Sequence, residues 1–271
     1  MDRRSIVVGA DGSDPGYTAV AWAAREAGYR RAPLRIVHVL EGRPVDRGDR
    51  DERSYIEAMW ADSNSFITEA TRRAHRIAPE VAVRSDTLLG RPVERLRELA
   101  READLMVVGH RGRGGFAGLG LGSVGERVAR RAPCPVAVVR GRITPDGPVV
   151  AGVDDSPAAD AVLGTAFRAA ADRAKGLVVV HAGAQRDRVE EQVAPWRPKY
   201  PRVAVRLDPS GGDPGPALAQ LSTGARLVVV GSRGRDYPRS LLLGSTGLYL
   251  LHHAGCPVLI TRPTEARDFG L

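Results

Sequence analysis

The sequence predicts an α/β fold built twice: two repeated domains, each a five-stranded, mostly parallel sheet with helices on both faces. Three observations predict it. The chain of 271 residues repeats itself, so that Val7-Val8-Gly9-Ala10-Asp11-Gly12-Ser13 returns as Val150-Ala151-Gly152-Val153-Asp154-Asp155-Ser156, an offset of 143. Short β-branched runs alternate with helical segments in both copies, which is the pattern of strand–helix–strand units. Those runs are apolar throughout, as strands buried on both faces are. From Val81-Ala82-Val83-Arg84 against Val203-Ala204-Val205-Arg206 onward the offset is 122, so the second copy lacks 21 residues, lost between about 41 and 80 of the first. The expected domains are 1–140 and 148–262, with a polar linker at 141–147 and a loose tail at 263–271.

In the first copy, Ile6 to Gly9 reads as a strand that stops at Asp11-Gly12. Ser13 or Asp14 caps a helix, and Pro15 stands in its first turn, where a missing N–H does no harm. Ala19, Val20, Ala23, Ala24 and Ala27 give that helix a small apolar face. Ile36 to Leu40 is the second strand, and 41–52 is a charged loop. A long helix follows from about Arg53 to Ile77, ended by Pro79. Val81 to Arg84 is a third strand and Leu88-Leu89-Gly90-Arg91 a loop. Pro92 opens a helix carrying Val93, Leu96, Leu99 and Ala100. Ala103 to Val108 is the fourth strand, a helix runs from about Ser123 to Arg131, and Val136–Val139 is the fifth strand. The second copy repeats the scheme, with helices after Pro157 and near Gly215–Leu221. Its middle helix is reduced to about Arg186–Ala194.

Bulk properties narrow the classes. An apolar fraction of 43% suits a globular protein rather than a disordered one. No apolar run approaches the ~18–20 residues of a membrane-spanning helix, and strand-like Ile6-Val7-Val8 follows the first residues directly, so a cytoplasmic protein is expected. The formal charge is +8, almost all of it arginine spread along both halves. That distribution reads as solvated faces rather than a nucleic-acid track. Cys134 and Cys256 each sit in an x-Cys-Pro-Val context at a helix–strand junction and read as small buried hydrophobes.

The chemistry lies in a loop. Gly109-His110-Arg111-Gly112 follows the fourth strand, and Gly122-Ser123 opens the next helix. Gly231-Ser232-Arg233-Gly234 and Gly244-Ser245 repeat the arrangement with the same spacing. A strand, a glycine-rich loop and a helix N-terminus together bind phosphate, because free backbone N–H groups and the helix dipole converge there. Neither copy carries the lysine of a Walker A box, and a dinucleotide loop would follow the first strand instead. Gly109 and Gly112 let backbone approach a ligand, Gly122 and Ser123 are expected to present N–H groups, and the Ser123 and Ser245 hydroxyls can add bonds. Ligands in parallel sheets bind beyond the carboxyl ends of the strands, where Asp11 and Asp154 also lie.

The pattern Gly-x2-Gly-x9-Gly-Ser, an early Val-x-x-Asp-Gly-Ser and a late Cys-Pro-Val strand resemble the universal stress protein family in its tandem, ATP-binding form, over about residues 1–140 and 147–262. The resemblance implies a Rossmann-like domain of the adenine nucleotide α-hydrolase type, with ATP as ligand. It places Gly9 and Asp11, and Gly152 and Asp154, at the first strand ends, the two aspartates beside ribose and phosphates where they can assist Mg²⁺. It places adenine on the backbone near Val39 and Ala182. Gly109, Gly112, Arg113, Gly122, Ser123 and Val124, with Gly231, Gly234, Arg235, Gly244, Ser245 and Thr246, become the ribose and phosphate loops. It also implies a homodimer, domain pairing through Val136–Val139 and Val258–Ile260, and an unidentified regulatory protein partner.

The copies differ in ways that bear on function. Asp155 stands where the first copy has Gly12, and Tyr237-Pro238 where it has Gly115-Phe116. The shortened middle helix is expected to open one wall of the second crevice, so that site two binds more weakly or reads another ligand. Arg111, Arg113, Arg233 and Arg235 flank the loops, either screening phosphate charge or facing water. No nucleophile, acid and base form a recognisable set. His38 and His181 read as strand residues, and His110 is replaced by Ser232 in the second copy. The expected function is therefore an ATP-binding stress-response regulator. A slow ATPase or nucleotide-dependent enzyme is one alternative, and a dimeric scaffold that binds no nucleotide is another.

Overall fold

Ile6–Gly9 forms β1, its first three side chains fully buried, because a short β-branched run gains most between two helical layers. Ser13 then turns the chain into α1 (Asp14–Arg30). It is extended, and its Oγ accepts the Gly16 N–H at 3.1 Å. Ala19, Val20, Ala23, Ala24 and Ala27 are all 0% exposed, so the small-residue face lies close over β1 and β4.

These features belong to a computed structural model that describes residues 4–41, 51–112, 121–142, 144–181, 186–208, 213–232 and 243–262. Its contacts resolve into two units, residues 1–139 and 140–271. The first unit continues with β2 (Leu34–Leu40), α2 (Asp51–Ile77), β3 (Val83–Leu89), α3 (Pro92–Leu99), β4 (Leu105–Gly109), α4 (Ser123–Arg131) and β5 (Val136–Val139). Its strands lie in the order β3-β2-β1-β4-β5, all parallel. Strand order therefore reverses at β1/β4, and a crevice opens there beyond the strand ends.

One element differs from expectation. The third strand starts at Val83 and runs to Leu89, in register with the whole of β2 from Leu34↔Val83 to Leu40↔Leu89. Ser85, Asp86 and Thr87 disguise it, since an edge strand need not be apolar. Arg35 pairs with Asp86 at 2.6 Å, and Ser63 of α2 bonds Thr87 at 2.8 Å. The Gly90 N–H, donated to the Leu40 carbonyl at 2.9 Å, carries the pairing one residue further.

The second unit comprises β6 (Val149–Val153), α5 (Ala158–Asp172), β7 (Leu177–His181), α6 (Arg186–Val193), β8 (Val205–Asp208), α7 (Pro214–Ser222), β9 (Leu227–Gly231), α8 (Ser245–His253) and β10 (Val258–Thr261). Its strand order, β8-β7-β6-β9-β10, is that of the first unit. An aromatic cluster compensates for the shorter middle helix. Phe167 stacks on Tyr200 (centroids 5.6 Å apart) and on Trp196 (6.2 Å). Gly164 leaves room for it: a side chain there would begin 2.6 Å from the Trp196 ring. Arg140 donates to the Leu250 and Leu251 carbonyls at the end of α8. Cys134 and Cys256 are buried free thiols, and burial pushes the Cys256 thiol up to about 12. Among the described residues, no helix is long and apolar enough to cross a membrane.

Candidate functional site

Asp11 is fixed at the end of β1 by its own turn. Its Oδ1 accepts the Ser13 N–H at 3.1 Å and the Ser13 hydroxyl at 2.6 Å, the side-chain closure that Asp makes two residues on. Its Oδ2 lies against Gly112, where a side chain would collide with it. On the other flank, a side chain on Gly16 would begin 2.7 Å from Oδ1, and one on Gly109 would begin 2.9 Å from the Pro15 carbonyl. The β1/β4 reversal thus brings Asp11, Gly109 and Gly112 together. Their closeness is what requires the glycines.

The start of α4 completes this corner. Gly122 is the extended N-cap, but its N–H is donated to the His110 carbonyl at 2.7 Å. The expectation that Gly122 presents its N–H outward is therefore corrected: the loop closes on itself through that bond. The donors left over at the helix start are those of Ser123 and Val124, whose N–H groups meet no acceptor among the described residues. Gly125 is needed for packing, since a side chain there would begin 3.0 Å from the Gly109 carbonyl. Arg111 places a buried Nε in the same loop, with no acceptor among the described residues. Arg113 lies outside the described residues.

Val39 sits apart from this corner, toward the adjacent strand. The register of β1 with β2 ends at Gly9↔Val37, where the Ala10 N–H meets the Val37 carbonyl at 2.9 Å. Beyond it the Ala10 carbonyl takes His38 Nδ1 at 2.7 Å, which makes that nitrogen the protonated one. Strand alternation turns the Val39 backbone to the same side as Val37, past the end of β1. Gly9 serves packing: a side chain there would begin 3.1 Å from Leu96 of α3. Gly12, at φ +78°, is roofed by Phe66 of α2, whose ring would lie 2.6 Å from a Cβ. The same ring meets His38 edge-on at 5.8 Å.

In the second unit, one cleft of about 90 Å³ is lined by Gly152, Asp154, Gly231, Gly244, Ser245 and Thr246, among others. Asp154 repeats the turn of Asp11, accepting from Ser156 N–H at 3.0 Å and Oγ at 2.5 Å. Gly244 donates to the Ser232 carbonyl at 2.8 Å, as Gly122 does to His110. Gly152 again makes room for a helix, its Cβ position 2.6 Å from Leu218. Ala182, Gly234, Arg235 and Tyr237-Pro238 lie outside the described residues.

The crevice walls of the two units diverge. Asp155 accepts from Arg188 Nε at 2.7 Å and lies 3.4 Å from His181 Nε2; that hydrogen bond, and then the carboxylate's charge, raise the Arg188 pKa above its ordinary value. Gln192 donates to the Asp154 carbonyl at 3.1 Å. The shortened α6 therefore reaches the end of β6 through Arg188 and Gln192, contrary to the expected open wall. Phe66, Arg188, Gln192 and the Pro15 carbonyl were invisible to motif spacing; only the unbalanced Gly12/Asp155 pair signalled a difference. Among the described residues, no group of three or more His, Cys, Asp or Glu converges; the first corner offers Asp11, and the second Asp154 with Asp155 next to it in the chain. Mg²⁺ suits such a site, since it is held by one or two carboxylates plus phosphates and keeps several waters.

The sequence profile described as the Universal stress protein family matches residues 2–140 and 182–262. Universal stress protein Rv2005c of Mycobacterium tuberculosis is 33% identical, the alignment covering 96% of this chain and 97% of that protein. Universal stress protein Rv1996 of the same organism is 31% identical over 95% and 94%. Among solved structures, a universal stress protein from Archaeoglobus fulgidus DSM 4304 matches with a TM-score of 0.76 at 18% identity, covering 96% of this chain and 98% of that one. At that identity the likeness speaks for the fold.

Proposed function

The chain belongs to the universal stress protein family, and from that premise we propose that it is a cytoplasmic, ATP-binding stress-response regulator whose nucleotide occupancy alters its conformation or its contacts with a protein partner. One observation carries the reading: Asp11, the glycines of the β4 loop and the open first turn of α4 converge at the β1/β4 reversal. Phosphates would be held by the Ser123 and Val124 N–H groups and the Ser123 hydroxyl, where backbone donors and the helix dipole act together. Arg111 supplies a cation whose buried Nε has no acceptor among the described residues. The Val39 backbone, past the end of β1, offers adenine a donor and an acceptor on one edge. Asp11 would hold Mg²⁺ together with phosphate oxygens, and the metal would neutralise phosphate charge; Asp154 is its counterpart in the second unit.

The function is holding rather than breaking. His110 is turned into the fold, its Nδ1 3.3 Å from the Val139 carbonyl, and His38 is committed to Ala10. Neither is placed as a base for an attacking water. The second unit is the weaker site, because Asp155 adds a carboxylate where the first has Gly12. The active form is a homodimer. Calorimetric titration with ATP and Mg²⁺ tests the reading, with the bound nucleotide recovered after hours. Intact ATP bound to the parent protein supports it. Rapid ADP formation would favour the enzyme alternative, and no heat with any adenine nucleotide would favour the scaffold.

A further inference from the structure

The groove between α3 and α4 in the first unit is not accounted for by the crevice. It has a volume of about 460 Å³ and reaches from the α4 N-terminus, at Ser123 and Val124, past Arg127 to Arg131. That run covers about 12 Å along the helix. Arg91 and Arg97 face it from α3. Four guanidiniums thus line the groove against the two carboxylates of Glu41 and Glu94. Glu94 is engaged by Arg91 at 3.3 Å. Arg97, Arg127 and Arg131 have no carboxylate partner among the described residues, and Arg97 Nε is buried there without any acceptor. A buried, unmet guanidinium donor is costly unless an anion arrives to use it.

The repeat supplies an internal comparison. At the offset of 122, Arg91, Arg97, Arg127 and Arg131 become Asp213, Ala219, Tyr249 and His253. There the Tyr249 ring lies 3.2 Å from where a side chain on Gly215 would begin, and it stacks on His253 with centroids 4.1 Å apart. At the positions equivalent to the four arginines the second unit therefore carries none, and Tyr249 lies against the start of α7 instead. Packing of the two helices does not demand the four arginines, because the other unit builds the same helix pair without them.

We infer that the α3/α4 groove of the first unit is a binding site for a condensed phosphate chain, seated on Arg97, Arg127 and Arg131 and continuous with the donors at Ser123 and Val124. The continuity rests on the phosphate reading of the crevice; the groove's own charge and shape do not. The chain could be the distal phosphates of a nucleotide or a separate inorganic polyphosphate, and the shared chemistry is guanidinium recognition of closely spaced phosphate oxygens.

The test titrates the full chain and an Arg127→Ala/Arg131→Ala variant with AMP, ATP and inorganic tripolyphosphate, and the AMP-saturated proteins with tripolyphosphate. Both arginines are exposed, so the variant keeps its core; Arg97→Gln, with circular dichroism as a folding control, probes the half-buried member. The expected result is a loss of about tenfold or more in affinity for ATP or tripolyphosphate, with AMP affinity unchanged. Loss confined to ATP assigns the groove to the nucleotide's own phosphates. Loss of tripolyphosphate binding on AMP-saturated protein assigns it to a separate chain. Equal affinities in parent and variants for both ATP and tripolyphosphate overturn the inference while leaving AMP binding, and the nucleotide reading, intact. If no adenine nucleotide binds but tripolyphosphate still distinguishes the proteins, the nucleotide reading falls and the groove stands.

Discussion

In a Gly112→Ala protein the new methyl group would claim the space now held by Asp11 Oδ2. The backbone on the far side belongs to the loop that Gly122 closes onto His110, so the carboxylate is the group that must yield. Rotating it breaks the bonds from Ser13 N–H and Oγ. Bonds to charged groups contribute about 1.5–3 kcal/mol each, but Asp11 is half-exposed and water recovers part of the loss. A net penalty of about 1.5–3 kcal/mol at the site corresponds to roughly 10- to 150-fold weaker ATP binding. The assay is calorimetric titration of parent, Gly112→Ala, Asp11→Ala and the double variant. If the methyl acts through Asp11, the double variant binds like Asp11→Ala alone, a coupling that additivity forbids. Unchanged affinity in Gly112→Ala, or a loss that persists in full beside Asp11→Ala, would refute the account of this corner.

Other expectations follow from the same geometry. Ser13→Ala removes the α1 cap and one Asp11 bond, lowering stability by about 1 kcal/mol in chemical denaturation. Phe167→Ala empties the centre of the aromatic cluster and should cost about 3–5 kcal/mol, read as a lowered denaturation midpoint. Asp155→Gly gives the second unit the first unit's residue and frees Arg188; ATP titration should show tighter second-site binding, and an unchanged second site would contradict the role given to Asp155. Burial pushes the folded Cys256 thiol up to about 12, from an ordinary value of 9.0. The raised folded value means its contribution is complete below about pH 9 and is lost as pH rises toward 12, because the unfolded thiol sheds its proton first. Between those limits the parent should lose about 1.4 kcal/mol per pH unit relative to Cys256→Ala. Native protein at pH 8 should resist thiol reagents that label it once unfolded.

Much of the fold was legible because local and global signals agree. Ser13 and Pro15 mark the start of α1, the alanine face marks its buried side, and identical spacing in two copies fixes the loop and α4 together. β3 was misread because its partner, not its composition, makes it a strand: Ser85–Thr87 pair with β2 at an edge where polar side chains cost little. At the site, Asp11 and the loop glycines were readable as residue types. Their reasons were not. Gly9 and Gly152 look like ligand glycines in a motif but make room for Leu96 and Leu218. Gly122 looks like a donor and spends its N–H on His110. Phe66, Arg188 and Gln192 reach the strand ends from the middle helices, the region where the two copies lost their alignment. No repeat comparison could have found them.

The central claim is that the corner formed by Asp11, Gly112 and the start of α4 holds an adenine nucleotide without consuming it. Acid release and identification of the nucleotide carried by natively purified protein tests it most directly. The account predicts intact ATP at close to one molecule per chain in the parent, and its absence from Gly112→Ala prepared in parallel. A parent protein that carries no adenine nucleotide and takes up none from a saturating solution would contradict it.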